Sequence, residues 1–251
     1  MKIAFVFIVK DGESYLKKNL DQISKYGQDI YAVENNSTDN TKQILKDAGL
    51  TKIITLDLDE KMSTDLCSVE EKWNCSKRIG RLAYIRQNGL DAVLESGINY
   101  DYLCMLDMDF ISYDEKGLDD MFRYMENNSE VDAIFGMSKK NTIFGEPYDI
   151  DAIEPRDVVY PIMFKYERYI RVDSAFSGFG VYRYSSILEK KPKYSVSPRT
   201  EHQPFNDYFE NKVVDTHFNP VYEQPSHITL LEHVGFLVFI LILVLYASRR
   251  M

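Results

Sequence analysis

The chain has 251 residues, 45% of them hydrophobic and 27% charged, with a formal net charge of −9. That length suits one domain with room for an appendage, and the apolar content is enough for a core. The acidic balance and the lack of a basic stripe exclude general nucleic-acid binding, which needs a basic face against the phosphates. The three cysteines, Cys67, Cys75 and Cys104, are odd in number and fit no zinc spacing, usage that suits a reducing compartment.

The first stretch, Lys2 to Val9, reads as a buried strand, and no cleavage site follows to make it a signal peptide. An amphipathic helix is predicted from Tyr15 to Tyr26, a strand from Ile30 to Val33, a short helix from Thr41 to Ala48 and a strand from Lys52 to Leu58. A long helix follows from Lys77 to Glu95, with Ile79, Leu82, Ile85, Leu90, Val93 and Leu94 on its inner side. The apolar run Tyr102 to Leu106 is the next strand, and it ends in Asp107 and Asp109. A helix from Gly117 to Asn127 and a strand from Val131 to Met137 come next. Residues 141–169 read as loops or a hairpin, and Gly180 to Arg183 as a strand leading into a helix. Strands alternating with helices predict a parallel α/β sheet, whose ligands bind outside the carboxyl ends of the strands.

Two polar stretches fall at that edge. "LDMDF" places Asp107 and Asp109 on one face of a strand with apolar Met108 between them. Two carboxylates that close repel unless a cation separates them, and oxygen ligands suit Mg²⁺ or Mn²⁺. A turn cap or a solvated surface pair is the plain alternative. "ENNSTDNT" joins the second strand to a short helix; Ser37 or Asp39 caps that helix, or Glu34 and Asp39 accept hydrogen bonds from a nucleotide base and ribose.

These stretches, with three others, carry a resemblance. "ENNSTDNT" resembles the E-[DN]-x-S-x-D-x-T segment of GT-A-fold glycosyltransferases such as family 2. "RIGRLAYIRQNGLDAVL" resembles the R-x-x-x-L-A-x-x-R-N helix of viral and fungal enzymes of that superfamily. Those include the cryptococcal capsule mannosyltransferase-like group and glycosyltransferases of large algal viruses. "YDYLCMLDMDF", "SAFSGFGVYR" and "TEHQPFN" with "FNP" resemble their D-x-D strand, acceptor-side segment and E-H-x-x-F-[NH] element, in the same order. Thr200 stands where that group usually has Cys.

The resemblance implies a GT-A (Rossmann-like) mixed sheet flanked by helices over residues 1–227. It implies transfer of a sugar from a UDP- or GDP-linked donor to a glycan hydroxyl with Mn²⁺ or Mg²⁺. Asp109 would bind the metal directly, Asp107 the ribose or the metal through water, and His202 would be a third ligand, with His217 and His227 as alternatives. Glu34, Asn36, Asp39, Arg78 and Arg81 would hold the donor, with Arg86 on the same helix. Ser177 and Gly178 would meet the acceptor. Glu201 would be the general base, with Asp173 as its rival. A GT-A domain that binds sugars or partners without catalysis is the alternative function. A dehalogenase-type phosphatase fits poorly, because Ile111 replaces the threonine of D-x-D-x-T.

Beyond the resemblance, residues 228–251 read as a hydrophobic C-terminal helix. The 14 uncharged residues from Val234 to Ala247 precede Arg249 and Arg250. As a helix they span about 21 Å against ~30 Å of bilayer core, so a membrane tail is expected and a buried core helix is its alternative. Sequons begin at Asn35, Asn36, Asn74 and Asn127, and two of them lie in the donor loop. A catalytic domain facing the cytosol is therefore expected.

Overall fold

The computed structural model describes residues 1–27, 29–58, 76–141, 147–149, 152–159, 167–197 and 199–222. The expected apolar tail, His227, Cys67 and Cys75 lie outside the described residues. Among the described residues no helix is long and apolar enough to cross a membrane.

The first half alternates as expected: β1 (Ile3–Val9), α1 (Leu16–Ile23), β2 (Asp29–Asn35), α2 (Thr41–Asp47), β3 (Lys52–Leu56), α3 (Ser76–Glu95) and β4 (Tyr102–Asp107). The second half is broken into shorter pieces. These are β5 (Phe110–Ser112), α4 (Glu115–Asn127), β6 (Ala133–Gly136), β7 (Lys139–Lys140), β8 (Tyr169–Arg171), β9 (Phe179–Arg183), α5 (Tyr184–Lys190), α6 (His202–Asn206), β10 (Lys212–Asp215) and β11 (Val221–Tyr222).

Among the described residues, eight strands form one sheet in the order β3-β2-β1-β4-β9-β6-β10-β8. The sheet is mixed rather than parallel throughout, because β9 runs antiparallel to both β4 and β6, and β8 antiparallel to β10. A small sheet, β5-β11-β7, stands beside it. The chain winds outward from β1 to β3, then α3 carries it back to the other side of β1, where β4 pairs in parallel. The order therefore reverses between β1 and β4, and such a switch point leaves a crevice at the carboxyl ends of the two strands.

Both faces of the sheet are covered. Phe5, Phe7, Cys104 and Leu106 pack against Leu16, Leu20 and Ile23 of α1 and Leu118 and Met121 of α4. Ala4, Val6, Leu103 and Met105 pack on the opposite side with Ala83, Leu90 and Val93 of α3. β4 is thus buried on both faces, which explains its unbroken apolar run. Cys104 is a buried free thiol, and burial raises its pKa. On α3, Ile79, Ile85, Leu90 and Val93 are buried as expected, whereas Leu82 is half-buried and Leu94 exposed.

The depth of α3 is set by a missing side chain. A Cβ on Gly89 would stand 2.6 Å from Val6 Cγ1 and 3.1 Å from Val33 Cγ2, so the helix lies directly on β1 and β2 at that point. Replacing Gly89 by Val therefore forces helix and sheet apart. The expected loss is about 1–3 kcal/mol, seen as a lower melting temperature. Among the described residues, Gly80 on the same helix meets only Val196 Cγ2 at 3.3 Å, and Val196 is exposed. Gly80→Ala is expected to hold or raise the melting temperature, since Ala favours a helix over Gly by up to about 1 kcal/mol.

Candidate active site

The acid pair of the sequence sits at the switch point. Register places Ile8 of β1 opposite Asp107, so the pair opens onto the crevice. Asp107 shares the parity of Leu103 and Met105 and therefore faces the α3 side of the sheet. Asp109 lies just beyond the strand and is exposed, while Met108 between them is buried on the α1 side.

The backbone around the pair is pinned from two directions. On one side the buried Asn19 of α1 donates to the carbonyls of Met108 at 2.6 Å and Phe110 at 2.7 Å. On the other, Asp107 N–H donates to the Gly178 carbonyl at 2.9 Å, and the Tyr222 hydroxyl donates to that same carbonyl at 3.0 Å. Packing around the crevice desolvates the Asp109 carboxyl, and the charge of Asp107 adds to this, pushing its pKa up to about 6. Burial, and then the two aspartates, also raises the phenols of Tyr15 and Tyr148 above their ordinary value.

Arg86 of α3 is the counter-charge. Its Nη2 lies 2.7 Å from Asp107 Oδ1 and its Nε 2.8 Å from Glu201 Oε1, with all three side chains at least four-fifths buried. The guanidinium also lies 4.8 Å over the ring of Phe176. Burial alone would lower its pKa, but the charges of Asp107 and Glu201 outweigh that and raise it. The sequence carried a signal for this residue. Arg86 follows Ile79 and Ala83 and precedes Leu90 and Val93 at spacings of four, three, four and three, so it lies within the apolar stripe of α3. Asn19 is marked the same way, beside Leu16, Leu20 and Ile23.

The loop after β2 is tied to the loop after β1. Asp11 N–H donates to Ser37 Oγ at 3.0 Å, and Thr38 N–H returns a bond to Asp11 Oδ1 at 2.7 Å. Gly12 N–H donates to Thr41 Oγ1 at 2.7 Å, and Asn40 Nδ2 donates to Glu13 Oε1 at 2.6 Å. Asp39 accepts from Glu13 N–H at 2.9 Å and Thr41 N–H at 3.0 Å. The helix N-cap is Asn40, not Ser37 or Asp39, and Asp39 is occupied with loop bonds just before it, which hold its pKa below the ordinary value against a burial effect that raises it. Glu34 is fully buried; its Oε1 accepts from Ser37 N–H at 2.6 Å. Its Oε2 has no hydrogen-bond partner among the described residues, and the Lys42 ammonium stands 4.0 Å away. Asn36 bridges to the residues just after β3, donating to Asp57 Oδ1 at 2.7 Å and accepting from Leu58 N–H at 2.9 Å. With the Asn35 amide oriented by its neighbours, its oxygen accepts from Arg81 Nη2 at 2.6 Å. Arg81 is thereby brought to the carboxyl end of β2, with Arg78 exposed one turn earlier.

No protein-family model matches the sequence, and no curated protein matches it. Solved structures do match. A mycobacterial protein superposes with a TM-score of 0.52 at 11% identity, over 90% of this chain and 69% of its own. Glucosyl-3-phosphoglycerate synthase from Mycobacterium tuberculosis, in complex with Mn²⁺, UDP-glucose and phosphoglyceric acid, gives 0.51 at 10% identity over 93% of this chain and 74% of its own. The same enzyme with Mn²⁺, UDP-glucose and glycerol 3-phosphate gives 0.50 at 10% identity, over 93% and 75%. Identity this low speaks for the fold. The chain has the GT-A fold.

Within the GT-A frame the remaining candidates separate. Asp107, Arg86 and Glu201 are joined directly, with His202 Nε2 3.4 Å from Glu201 Oε1. The His202 ring is buried, stacked on Phe176 at 3.6 Å between centroids, and burial followed by the Arg86 charge holds its pKa well below the ordinary value. It is therefore neutral, as a metal ligand must be. Yet no group of three His, Cys, Asp or Glu side chains able to hold a metal forms among the described residues, and His202 does not join the aspartates. His217 is exposed beyond β10, where its N–H bonds to Asp215 at 2.9 Å.

Ser177 and Gly178 form a tight turn rather than a face open to an acceptor. Both have positive φ, 48° and 80°, and Phe179 N–H closes the turn on the Phe176 carbonyl at 3.0 Å. The buried Ser177 hydroxyl donates to the Tyr148 carbonyl at 2.8 Å and accepts from Ser138 N–H at 3.1 Å. Gly178 admits the Tyr222 hydroxyl, which would lie 2.4 Å from a Cβ there. Asp173 lies apart from the acid pair. Val172 N–H bonds to the carbonyl of Lys212, the first residue of β10, so Asp173 stands at the amino edge of the sheet, opposite the edge that holds Asp107.

The acid pair fits a hard divalent cation: two oxygen donors, one of them destabilised as an anion by desolvation and then by its neighbour. The protein would supply Asp107 and Asp109, leaving other positions to ligand oxygens and water.

Two outcomes follow for this GT-A site. Arg86→Met strands two buried carboxylates and is expected to cost about 3–5 kcal/mol, lowering the melting temperature by roughly 6 to 20 °C. Asp109 has a folded pKa near 6 against an unfolded value near 3.9. As pH falls from 7 through 6 the folded state takes up a proton that the unfolded state does not, so stability rises; below about 4 both states are protonated. The melting temperature of the wild type relative to Asp109→Asn is expected to climb as pH falls from 7 to 4.5, and a flat difference would contradict the raised pKa of Asp109.

Proposed function

We propose that the chain is a metal-dependent glycosyltransferase that moves a sugar from a nucleoside-diphosphate donor to a hydroxyl acceptor. The observation that carries this reading is the acid pair at the switch point of a GT-A fold, pinned by Asn19 and Gly178 and backed by Arg86. Asp109, the exposed member, binds the cation directly, and Asp107 presents its second oxygen to the cation or the donor ribose. When bound, Mn²⁺ or Mg²⁺ supplies charge neutralisation on the departing diphosphate. Buried Glu34 shapes the loop from behind by accepting from Ser37 N–H, and the backbone of the paired loops frames the nucleoside, with Asn36 tying that frame to the residues just after β3. Arg81 and Arg78 give fixed positive charge to the diphosphate.

The finer assignment is to the viral and fungal capsule mannosyltransferase-like group, with a glycan as acceptor; five motifs in its order support it. A UDP donor is the first choice, since the superposed synthase holds UDP-glucose with Mn²⁺, and GDP is the alternative. A domain facing the cytosol is supported by Asn35, whose buried side chain bonds to Arg81 and leaves no room for a glycan. Anchoring by residues 228–251 is part of the same proposal.

Calorimetric titration with UDP and with GDP, with and without Mn²⁺, tests the reading. Binding of one nucleotide is expected only with Mn²⁺, and is expected to vanish in Asp109→Ala. Folded protein that binds neither nucleotide would favour a GT-A domain without catalysis.

A further inference from the structure

Glu201 occupies an unusual position for a proton acceptor. A general base must come within about 3 Å of the hydroxyl it deprotonates. Glu201 is 4% exposed, its Oε1 accepts from Arg86 Nε at 2.8 Å, and its Oε2 faces the Thr200 hydroxyl at 3.5 Å. Both oxygens are engaged inside the protein. What the geometry does provide is a chain of charges. Arg86 holds Asp107 Oδ1 at 2.7 Å, which places a permanent cation directly behind one of the two carboxylates that face the crevice. Left alone, that guanidinium would cancel the charge of Asp107 and repel a divalent cation. Glu201, 115 residues away in sequence from Arg86, cancels it instead.

We propose that Glu201 is a positioning residue that acts through Arg86: by neutralising the guanidinium it leaves Asp107 an effective anion, and so sets the affinity of the Asp107–Asp109 pair for a divalent cation. The proposal rests on the metal-site reading above and goes beyond it by giving Glu201 and Arg86 a joint task. Phe176 belongs to the same device, since its ring packs against both the Arg86 guanidinium and the His202 ring.

The test measures Mn²⁺ binding by full-length protein without any nucleotide or sugar, using the electron paramagnetic resonance of free Mn²⁺. Glu201→Gln keeps the shape and removes the charge. It is expected to weaken Mn²⁺ binding by about 10- to 100-fold, the usual cost of losing a partner behind a metal ligand. The double variant Arg86→Leu with Glu201→Leu removes both charges together and leaves Asp107 an anion with no cation behind it. It is expected to bind Mn²⁺ at least as tightly as the wild type. Melting temperatures without Mn²⁺ are recorded beside each titration. A Glu201→Gln protein that melts lower but binds Mn²⁺ with wild-type affinity would overturn the proposal, and so would a double variant as weak as the single one. A wild type that binds no Mn²⁺ would overturn the metal-site reading itself, an outcome separate from either.

Discussion

A buried guanidinium can persist in a protein only if its charge is answered on the spot, and Arg86 is answered twice. Asp107 comes from the end of a central strand and Glu201 from the start of α6, so one side chain ties three distant segments together. Removing any one member leaves a desolvated charge, a far larger penalty than the pair is worth as net stabilisation. The requirement reaches outward into the fold. Arg86 arrives at the crevice only because Gly89 lets α3 rest on β1 and β2, and Asp107 faces it only because strand parity turns that carboxylate toward α3.

The same economy governs the main chain near the acid pair. Asn19, buried among the leucines of α1, satisfies the carbonyls of Met108, just past β4, and Phe110, at the start of β5. On the far side the Ser177–Gly178 turn offers a carbonyl that takes both Asp107 N–H and the Tyr222 hydroxyl. Tyr222 in turn stacks on Tyr148 at 4.2 Å. Little of this touches a ligand, yet it fixes where two carboxylates can be, which is what a metal site asks of its support.

How much of this can be read from residues alone depends on length. β1, β4 and α3 announce themselves because six to twenty residues repeat one pattern. β7 and β11 have two residues each and β5 and β8 three, too short for any period to show, and they exist because the neighbouring edge is there to pair with. At the site, the acid pair is visible as a break in hydrophobicity, whereas Arg86 is disguised by looking like any helical arginine. Only its place in the apolar stripe betrays it. Asp173 and Ser177 show the opposite failing: a motif gathers them in sequence, and the strand register and a closed turn then give them work elsewhere.

The interlocked loops after β1 and β2 carry a consequence for redesign. Asp11, Gly12 and Glu13 supply half of each bond whose other half lies in residues 37–41, so two stretches of the gene encode a single surface. Varying one stretch leaves donors and acceptors of the other stranded, and most members of such a library would be lost to misfolding before any change in ligand preference appeared. Diversifying residues 11–13 and 37–41 jointly keeps the partners matched, so a changed surface at this edge of the sheet is reachable through pairs of substitutions rather than single ones.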